Sequence, residues 1–487
     1  MDGMLAIAGF FTLGRAQEVA IACFAYGAAD GSSAAHTDPV APILIALVLL
    51  AFGAMVGGHL TRKLKQPAVL GELLVGMLVG NLAHYFREPL ISILREGDTV
   101  RAIMSSAFTK SVSLAEAARD LLPATSHTQY LVEILNSPNG PIAIEIYQFV
   151  DILSRIAIIF LLFLVGLETS VYEMRKVGKT SFLVAVVGIL APFLLGIGAM
   201  KLLEPSAGME KGLFVGVILV ATSVGITARI FRDLKQEHRV EAKIILGAAV
   251  IDDVLGLLFL AVLSGFVATG NIDLFAVGLT TVKAFLFLAG AIGLGIWMTP
   301  KLIRLMARLE IENVKLQIGL GFAFLFAWLA SLLGLATIIG AFAAGLVLEE
   351  MFFKELKEEH SLRHLLSPFE SLIIPLFFVL MGMQVKLELF GDFKVVLTAA
   401  VITVAAIIGK LISGMICPGK LSRLSVGLGM MPRGEVTLVF AGVGRELGVI
   451  GDGLFSAVVI MVMVTTLLTA PLLRLSLGTG EVTPTIP

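Results

Sequence analysis

The sequence predicts an all-α, polytopic membrane protein. The chain has 487 residues, of which 57% are hydrophobic and only 15% are charged, whereas soluble globular proteins carry about 25% charged residues. Its charged residues lie between apolar runs, many of which approach the roughly 20 residues that a helix needs to cross a bilayer. The 50 glycines are typical of helices that pack closely within lipid.

Charge and motif content argue against several other classes of protein. The net charge of −1 provides no field that would favour nucleic acid as a partner. Cys23 and Cys417 are too far apart in sequence to indicate a disulfide framework or a metal site. A His-Glu-x-x-His motif and a Gly-rich phosphate loop are both absent from the sequence, so neither metal hydrolysis nor ATP-driven transport is predicted. We expect a lipid bilayer as surroundings, no cofactor and no enzymatic activity.

Residues 1–35 form a separate N-terminal segment. Its apolar stretch is interrupted by Arg15 and Glu18, and small residues follow at 27–29. This composition resembles a secretory signal without the usual basic start. An additional amphipathic or membrane helix explains the segment equally well, so both interpretations stay open.

Hydropathy predicts about thirteen membrane spans between residues 41 and 477. They are 41–61, 68–84, 147–169, 180–203, 212–231, 243–265, 274–298, 315–334, 336–350, 367–388, 393–417, 425–447 and 453–476. Residues 85–146 form one long, partly amphipathic insertion, for which the sequence indicates no function. Residues 478–487 form a short C-terminal tail.

Basic residues mark every second connection between these spans. The basic connections lie at 62–65, 175–179, 229–243, 301–315, 354–363 and 420–423. Since Lys and Arg are enriched in cytoplasmic loops, the first span is predicted to start outside. We therefore expect a multi-pass protein of the inner (plasma) membrane with a cytoplasmic C-terminus.

The sixth predicted span contains two adjacent carboxylates, Asp252 and Asp253. They lie about ten residues inside the helix, which is roughly 15 Å from its end. A carboxylate at such a depth is costly and usually marks an ion pathway or a proton relay. The alternative is a purely structural pair that bonds to neighbouring helices.

The eleventh predicted span contains a lysine, Lys410, at membrane depth. Such a residue needs a carboxylate or a water-lined site, and a Lys–Asp pair that exchanges protons would provide one. The alternative is a side chain that extends to the nearer interface.

Two further spans combine polar residues with glycine. Thr222 and Ser223 precede Gly225, a pattern that tolerates a broken helix whose free carbonyls coordinate a cation. Arg433 and Glu435 flank Gly434 at the start of the twelfth span. The alternatives are ordinary helix packing for the hydroxyls and an interfacial ion pair for Arg433 and Glu435.

The spacing of these spans indicates an inverted repeat. Spans within 180–265 and 393–476 form two triplets, each with its polar, Gly-containing helix in the middle. Because corresponding spans of the two triplets are seven spans apart, which is an odd number, the triplets run in opposite directions across the membrane. That layout is typical of secondary transporters whose broken helices meet at the bilayer midplane. A passive cation channel or a non-transporting sensor is the rival interpretation.

With these residues, the sequence resembles the bacterial sodium/proton antiporters of the second cation:proton antiporter family, close to the NapA type. The resemblance covers roughly residues 40–477 and depends on several blocks in order. They are Gln66-Pro67-Ala68-Val69-Leu70-Gly71-Glu72, Phe163-Leu164-Val165-Gly166-Leu167-Glu168, Ala221-Thr222-Ser223, Ala249-Val250-Ile251-Asp252-Asp253, Gly340-Ala341-Phe342-Ala343-Ala344-Gly345-Leu346, Pro375-Leu376-Phe377-Phe378 and Pro432-Arg433-Gly434-Glu435.

The resemblance implies an NhaA-like fold with crossed broken helices, in a homodimer. Each subunit would have core helices within 180–265 and 393–476, a dimerisation domain and an elevator-type motion. By the same resemblance, Asp253 binds the cation and Asp252 is held by Lys410. Further positions match the crossover break and the polar start of its partner helix: Thr222, Ser223, Arg433 and Glu435.

The resemblance favours exchange of Na⁺ or Li⁺ for protons. Potassium-efflux relatives carry a nucleotide-binding domain that this sequence lacks, and tend to have Gln-Asp where this sequence has Asp252-Asp253. A K⁺/H⁺ antiporter is the alternative that this comparison leaves open.

Overall fold

A computed structural model of the protein describes residues 41–64, 66–86, 89–121, 126–137, 140–168, 178–233, 236, 239–269, 274–307, 314–348, 361–418 and 421–477. The N-terminal segment 1–35 and the tail 478–487 lie outside these residues. Every regular element within them is a helix, which confirms the predicted all-α class.

Nineteen α-helices occur in the described part of the chain. They are α1 (Ala41–Lys63), α2 (Ala68–Tyr85), α3 (Pro89–Glu96), α4 (Asp98–Lys110), α5 (Leu114–Leu121), α6 (Ser126–Asn136), α7 (Gly140–Glu168), α8 (Lys179–Leu203), α9 (Met209–Val220), α10 (Val224–Asp233), α11 (Val240–Thr269), α12 (Leu274–Ala307), α13 (Val314–Leu332), α14 (Thr337–Val347), α15 (Leu362–Met383), α16 (Phe393–Gly414), α17 (Arg423–Gly429), α18 (Glu435–Glu446) and α19 (Asp452–Leu477). A short 3₁₀ helix, Leu387–Gly391, follows α15.

Nine of the described helices are long and apolar enough to cross a membrane. The predicted count of about thirteen is therefore not confirmed. The predicted spans 212–231 and 425–447 are each divided into two shorter helices, α9 with α10 and α17 with α18. The predicted ninth span is the 11-residue helix α14, which is too short to cross the hydrocarbon core alone.

The insertion 85–146 consists of four short helices, α3 to α6, and the start of α7. Helix α3 is buried against α2 and α7. Its Leu90 and Ile93 join the same apolar cluster as residues of α1, α7 and α15. A separate small cluster, including Ile103 and Ala117, holds α4, α5 and α6 together. The insertion is thus a packed helical unit attached to the end of the bundle.

The long helices pack in two groups. One contains α1, α2, α7, α13, α14 and α15, and the other contains α8 to α11 with α16 to α19. Close packing of α16 on α8 depends on Gly409, because a side chain there would begin 2.7 Å from the Cα atom of Pro192. The second group contains the predicted core helices within 180–265 and 393–476. Assignment of the first group to a dimerisation domain stays a prediction.

Two interrupted helices cross within the second group. Helix α9 ends at Val220 and α10 begins at Val224, while α17 ends at Gly429 and α18 begins at Glu435. The intervening segments bond to each other, since the Ser223 amide donates to the Pro432 carbonyl at 3.0 Å. At Gly434 a Cβ atom would lie 2.8 Å from the Ser223 Oγ. The predicted crossed broken helices are thus present, and glycine permits their close approach.

Candidate ion-binding site

The crossing leaves the carbonyl end of α9 without helical partners, as at any helix C-terminus. The guanidinium of Arg433 fills this position and donates to the carbonyls of Leu219, Val220 and Ala221. Its side chain is fully buried. A cation also balances the negative end of the helix dipole. Arg433 is therefore a buried cap for the C-terminal end of α9.

Glu435 opens helix α18, but its side chain lies outside the part of the structure that is described. The predicted partnership of Glu435 with Arg433 stays a prediction. The carbonyl of Arg433 itself accepts a hydrogen bond from the Thr466 hydroxyl of α19 at 2.5 Å. Helix α19 thus helps to fix the start of α18.

Thr222 connects the crossing to helix α11. Its Oγ1 lies 3.0 Å from Asp252 Oδ2 and 3.2 Å from the Met430 carbonyl, so the one hydroxyl proton has two acceptors in reach. One turn later, Thr227 donates to the Gly429 carbonyl at 2.9 Å. These hydroxyls satisfy carbonyls that the broken α17 leaves free. Ordinary helix packing, the alternative interpretation of these hydroxyls, does not account for their hydrogen bonds.

Ser223 occupies the turn into α10. Its Oγ lies 3.4 Å from the amide of Ile226, where it accepts a hydrogen bond typical of a helix N-terminus. The side chain is buried. Ser223 therefore helps to start the second half of the broken helix at the crossing.

Asp252 and Lys410 form a direct ion pair between α11 and α16. Lys410 Nζ lies 2.6 Å from Asp252 Oδ2, and both side chains are 0% exposed. Lys410 therefore does not extend to an interface, as its alternative interpretation required. The second oxygen, Asp252 Oδ1, is buried and has no hydrogen-bond partner among the described residues. A buried carboxylate needs an oppositely charged partner such as Lys410, because the free-energy cost of removing it from water is otherwise uncompensated.

Asp253 follows on the same helix and is 2% exposed. Neighbouring side chains on a helix point about 100° apart, so the two carboxylates face different surroundings. Asp253 is the residue next to Asp252 in the sequence, so it lies beside the ion pair on α11. The structure thus brings Asp252, Asp253, Lys410 and Thr222 together beside the crossing.

Sequence reasoning missed Thr466, and it did not identify the partners of the threonines that hold the two breaks together. Thr227 and Thr466 are fully or almost fully buried. The available signal was a hydroxyl at membrane depth, where an unbonded polar group is expensive. Their acceptors are backbone carbonyls far away in sequence, which no local pattern identifies.

Chemically, the site offers carboxylate and hydroxyl oxygens next to an ammonium group. Carboxylate, hydroxyl and carbonyl oxygens are the ligands that hard cations prefer. In the part of the chain that the structure describes, no group of three or more His, Cys, Asp and Glu residues could hold a metal ion. The arrangement therefore offers oxygen ligands of the type that a hard cation prefers.

Comparison with known proteins agrees with this arrangement. The family described as sodium/hydrogen exchanger, transmembrane, matches residues 43–475. The high-affinity Na⁺/H⁺ antiporter NhaS3 of Synechocystis is 33% identical over 443 residues, which cover 89% of this chain and 90% of that protein. The Na⁺/H⁺-K⁺ antiporter GerN of Bacillus cereus is 31% identical over 445 residues, covering 90% and 96%.

A solved structure shares the fold at lower sequence identity. The sodium proton antiporter MjNhaP1 from Methanocaldococcus jannaschii superimposes with a TM-score of 0.57 at 17% identity, covering 89% of this chain and 96% of that one. This likeness shows the fold alone. Together with the family match and the relatives above, it confirms the sodium/proton antiporter predicted from the sequence. The chain is a multi-pass membrane protein and belongs to the sodium/hydrogen exchanger family.

Proposed function

We propose that this protein exchanges Na⁺ or Li⁺ for protons by competition for Asp253. The observation that carries the proposal is the buried Asp252–Lys410 pair beside Asp253 at the crossing of two broken helices. Each of these charges is costly in a membrane helix. Binding and release of a cation at this position explain why these charges are present in the membrane despite their free-energy cost.

Charge balance supports coupling between the cation and protons. Among the described side chains of the site, Asp252 and Asp253 contribute two negative charges and Lys410 and Arg433 contribute two positive charges. With all four ionised the site is neutral, and a bound cation adds one positive charge. A low-dielectric site resists net charge, so cation binding favours loss of a proton and protonation favours cation release.

The two aspartates would have different roles. Asp253 binds the dehydrated cation, with oxygens of the crossing and water as further ligands. Asp252 is engaged by Lys410 and Thr222, so it organises the site and links it to a second titratable group. If Lys410 releases a proton in each cycle, exchange carries net charge. If it stays protonated, one proton is exchanged per cation.

Alternating access would come from an elevator-type movement of the second helix group against the first. Broken helices at a midplane site are typical of transporters in which one helix bundle moves against another. We further propose a homodimer in the plasma membrane with the C-terminus in the cytoplasm. The alternation of basic connections supports that orientation.

A K⁺/H⁺ antiporter is the second candidate function. It is favoured by the 31% identity to GerN, whose name includes K⁺ as well as Na⁺. A passive channel is less well supported, because conduction alone does not require paired titratable groups at the site. Both rivals are distinguished from the main proposal by one assay.

The test is transport in proteoliposomes that hold an imposed pH gradient. Na⁺, Li⁺ and K⁺ are added separately, and dissipation of the gradient is followed with a fluorescent pH indicator. We expect Na⁺ and Li⁺ to dissipate the gradient, and Asp253→Asn to abolish this response. The matched control is Asp392→Asn, which makes the same chemical change at an exposed helix N-cap, where asparagine is equally suitable.

Each other outcome contradicts part of the proposal. Near-normal exchange by Asp253→Asn would refute the role of Asp253. A response to K⁺ alone would select the second candidate. Cation flux without proton countertransport would indicate a channel.

A further inference from the structure

A second cluster of charges lies at the opposite end of the bundle from the predicted basic connections. Arg101 Nη2 is 2.8 Å from Asp151 Oδ1, and Arg155 Nε is 3.0 Å from Asp151 Oδ2. Glu446 Oε1 is 3.1 Å from Arg155 Nη2 and 3.8 Å from Arg101 Nη1. We call these four residues the outer cluster, since the charge asymmetry of the sequence places this end outside.

The outer cluster joins three separate parts of the chain. Arg101 belongs to insertion helix α4, and Asp151 and Arg155 belong to α7 of the first helix group. Glu446 is the last residue of α18, the second half of a broken helix. The cluster therefore connects the insertion and the first group to the group that contains the candidate ion site.

A second set of contacts holds the beginning of the next helix. Lys386 Nζ lies 3.0 Å from Glu96 Oε2 of the insertion and 2.8 Å from Asp452 Oδ2 at the start of α19. Arg445 Nη2 lies 3.0 Å from Asp452 Oδ1, and its Nη1 lies 2.9 Å from Gln384 Oε1. The turn between α18 and α19 is thus held at both ends. At one end Arg101 of the insertion contacts Glu446 directly, and at the other end Glu96 of the insertion reaches Asp452 through Lys386.

The outer cluster borders a cavity of about 500 Å³ that is lined by residues of both helix groups. All four residues of the outer cluster line it, and Ser264 and Gly442 also line it. Ser264 lies on α11, the helix of Asp253, about three turns further on and so roughly 16 Å away along the axis. Its Oγ is buried. The cavity therefore leads from the outer cluster towards the helix that carries the candidate ion site.

We propose that the 85–146 insertion is a latch that holds the outer end of the α18–α19 turn and restricts outside access to this cavity. The proposal rests on the proposed transport function, because a latch matters only if the two helix groups move. In the latched state Arg101 holds Glu446 directly, and Glu96 holds Asp452 through Lys386. Release of these pairs lets α18 and α19 move away from α7 and opens the cavity to the outside.

The exposure of the cluster suits a device that must open repeatedly. Its side chains are 22% to 39% exposed, and ion pairs with such access to water are weak one by one. Salt screens them further. Several weak pairs can hold a closed state and still release it.

The test measures access from outside to a cysteine at position 264. The starting variant replaces the native cysteines by Cys23→Ser and Cys417→Ala and carries Ser264→Cys. Spheroplasts that express the full chain receive a membrane-impermeant methanethiosulfonate reagent, and the labelling rate is measured. We expect Arg101→Gln, and Arg101→Gln combined with Glu446→Gln, to raise the rate about two- to fivefold, because each pair is partly exposed. High concentrations of choline chloride should raise the rate of the starting variant in the same direction.

The matched control is Lys110→Gln. It breaks the ion pair between Lys110 and Asp120, which is 3.2 Å long, lies wholly within the insertion and is more exposed than the outer cluster, at 53% for each side chain. We expect this variant to label at the starting rate. Equal or slower labelling of both Arg101 variants would overturn the latch, and so would an equal acceleration by Lys110→Gln.

The same assay separates the latch from the transport proposal. The measurement is repeated with Asp253→Asn added to every variant. Acceleration by Arg101→Gln in that background supports the latch even if the role of Asp253 is wrong. If Arg101→Gln does not accelerate labelling there either, the latch fails whatever the transport assay shows. If a substitution prevents folding, the latch is tested by the labelling rate of the starting variant in choline chloride, which should rise.

Discussion

The molecule contains two sets of cation–carboxylate contacts that differ mainly in burial. At the crossing, Lys410 and Asp252 are both 0% exposed. In the outer cluster, the four side chains are 22% to 39% exposed. Water stabilises each exposed partner when the pair separates, whereas a buried partner has no such compensation. The same chemistry therefore makes ion pairs that are costly to separate in one region and ion pairs that separate at small cost in the other.

The largest effect should come from removing one member of the buried pair. Lys410→Met leaves Asp252 without its ammonium partner, and we expect the free energy of unfolding to fall by about 3–5 kcal/mol. Addition of Asp252→Asn should recover most of this loss, because no uncompensated charge then remains. Thermal unfolding of the detergent-purified variants measures both effects. A double variant no more stable than Lys410→Met would contradict the comparison.

Arg433 tests the same rule with backbone acceptors. Arg433→Gln removes a buried charge that donates to three carbonyls at the end of α9. Hydrogen bonds to charged groups contribute about 1.5–3 kcal/mol each, but glutamine can replace part of the set, so we expect a loss of about 2–3 kcal/mol. Arg433→Lys should lose less, because it keeps the charge at the helix end. Equal losses in the two variants would show that charge plays no part.

Thr222 provides a smaller change at the crossing. Thr222→Val preserves the shape of the side chain but removes its hydrogen bond to Asp252 or to Met430. We expect the free energy of unfolding to fall by about 1 kcal/mol and the sodium KM of exchange to rise. Thr222→Ser keeps the hydroxyl and is the control. A normal sodium KM in Thr222→Val would separate this hydroxyl from cation binding.

The smallest effect belongs to the outer cluster. Glu446→Gln should lower the free energy of unfolding by only about 0.2–1 kcal/mol. The difference from the unaltered protein should shrink in 1 M choline chloride, where the Debye length is about 3 Å. The difference caused by Lys410→Met should persist in the same salt, because its pair is buried. Choline avoids adding a transported cation, and equal salt responses would remove the distinction between the two regions.

Local pattern predicted much of the fold. The apolar runs predicted helices, and the hydroxyls of Thr222 and Ser223 near Gly225 predicted a break that the structure places at residues 221–223. The number of complete membrane helices was not predictable in the same way. Hydropathy sums over a window of residues, so it does not register a break such as the one at Pro432 and Gly434 within span 425–447.

The candidate site likewise contains some features that the sequence identified and others that it did not. Asp252, Asp253 and Lys410 were identifiable because a charge at membrane depth is expensive wherever the helix packs. The partner of Arg433 was not identifiable, since three backbone carbonyls of α9, more than two hundred residues earlier, accept its hydrogen bonds. Backbone acceptors have no signature in a sequence.

The sequence by itself determined the membrane class, the helical segments, the family and the charged residues worth testing, because composition, apolar length and motif order are properties of neighbouring residues. Only the tertiary structure decided which charges meet. It placed Lys410 on Asp252, Arg433 on the end of α9, and Arg101 of the insertion on Glu446 at the end of α18. Such contacts join distant parts of the chain, and they depend on how helices cross and on which backbone groups the breaks leave free.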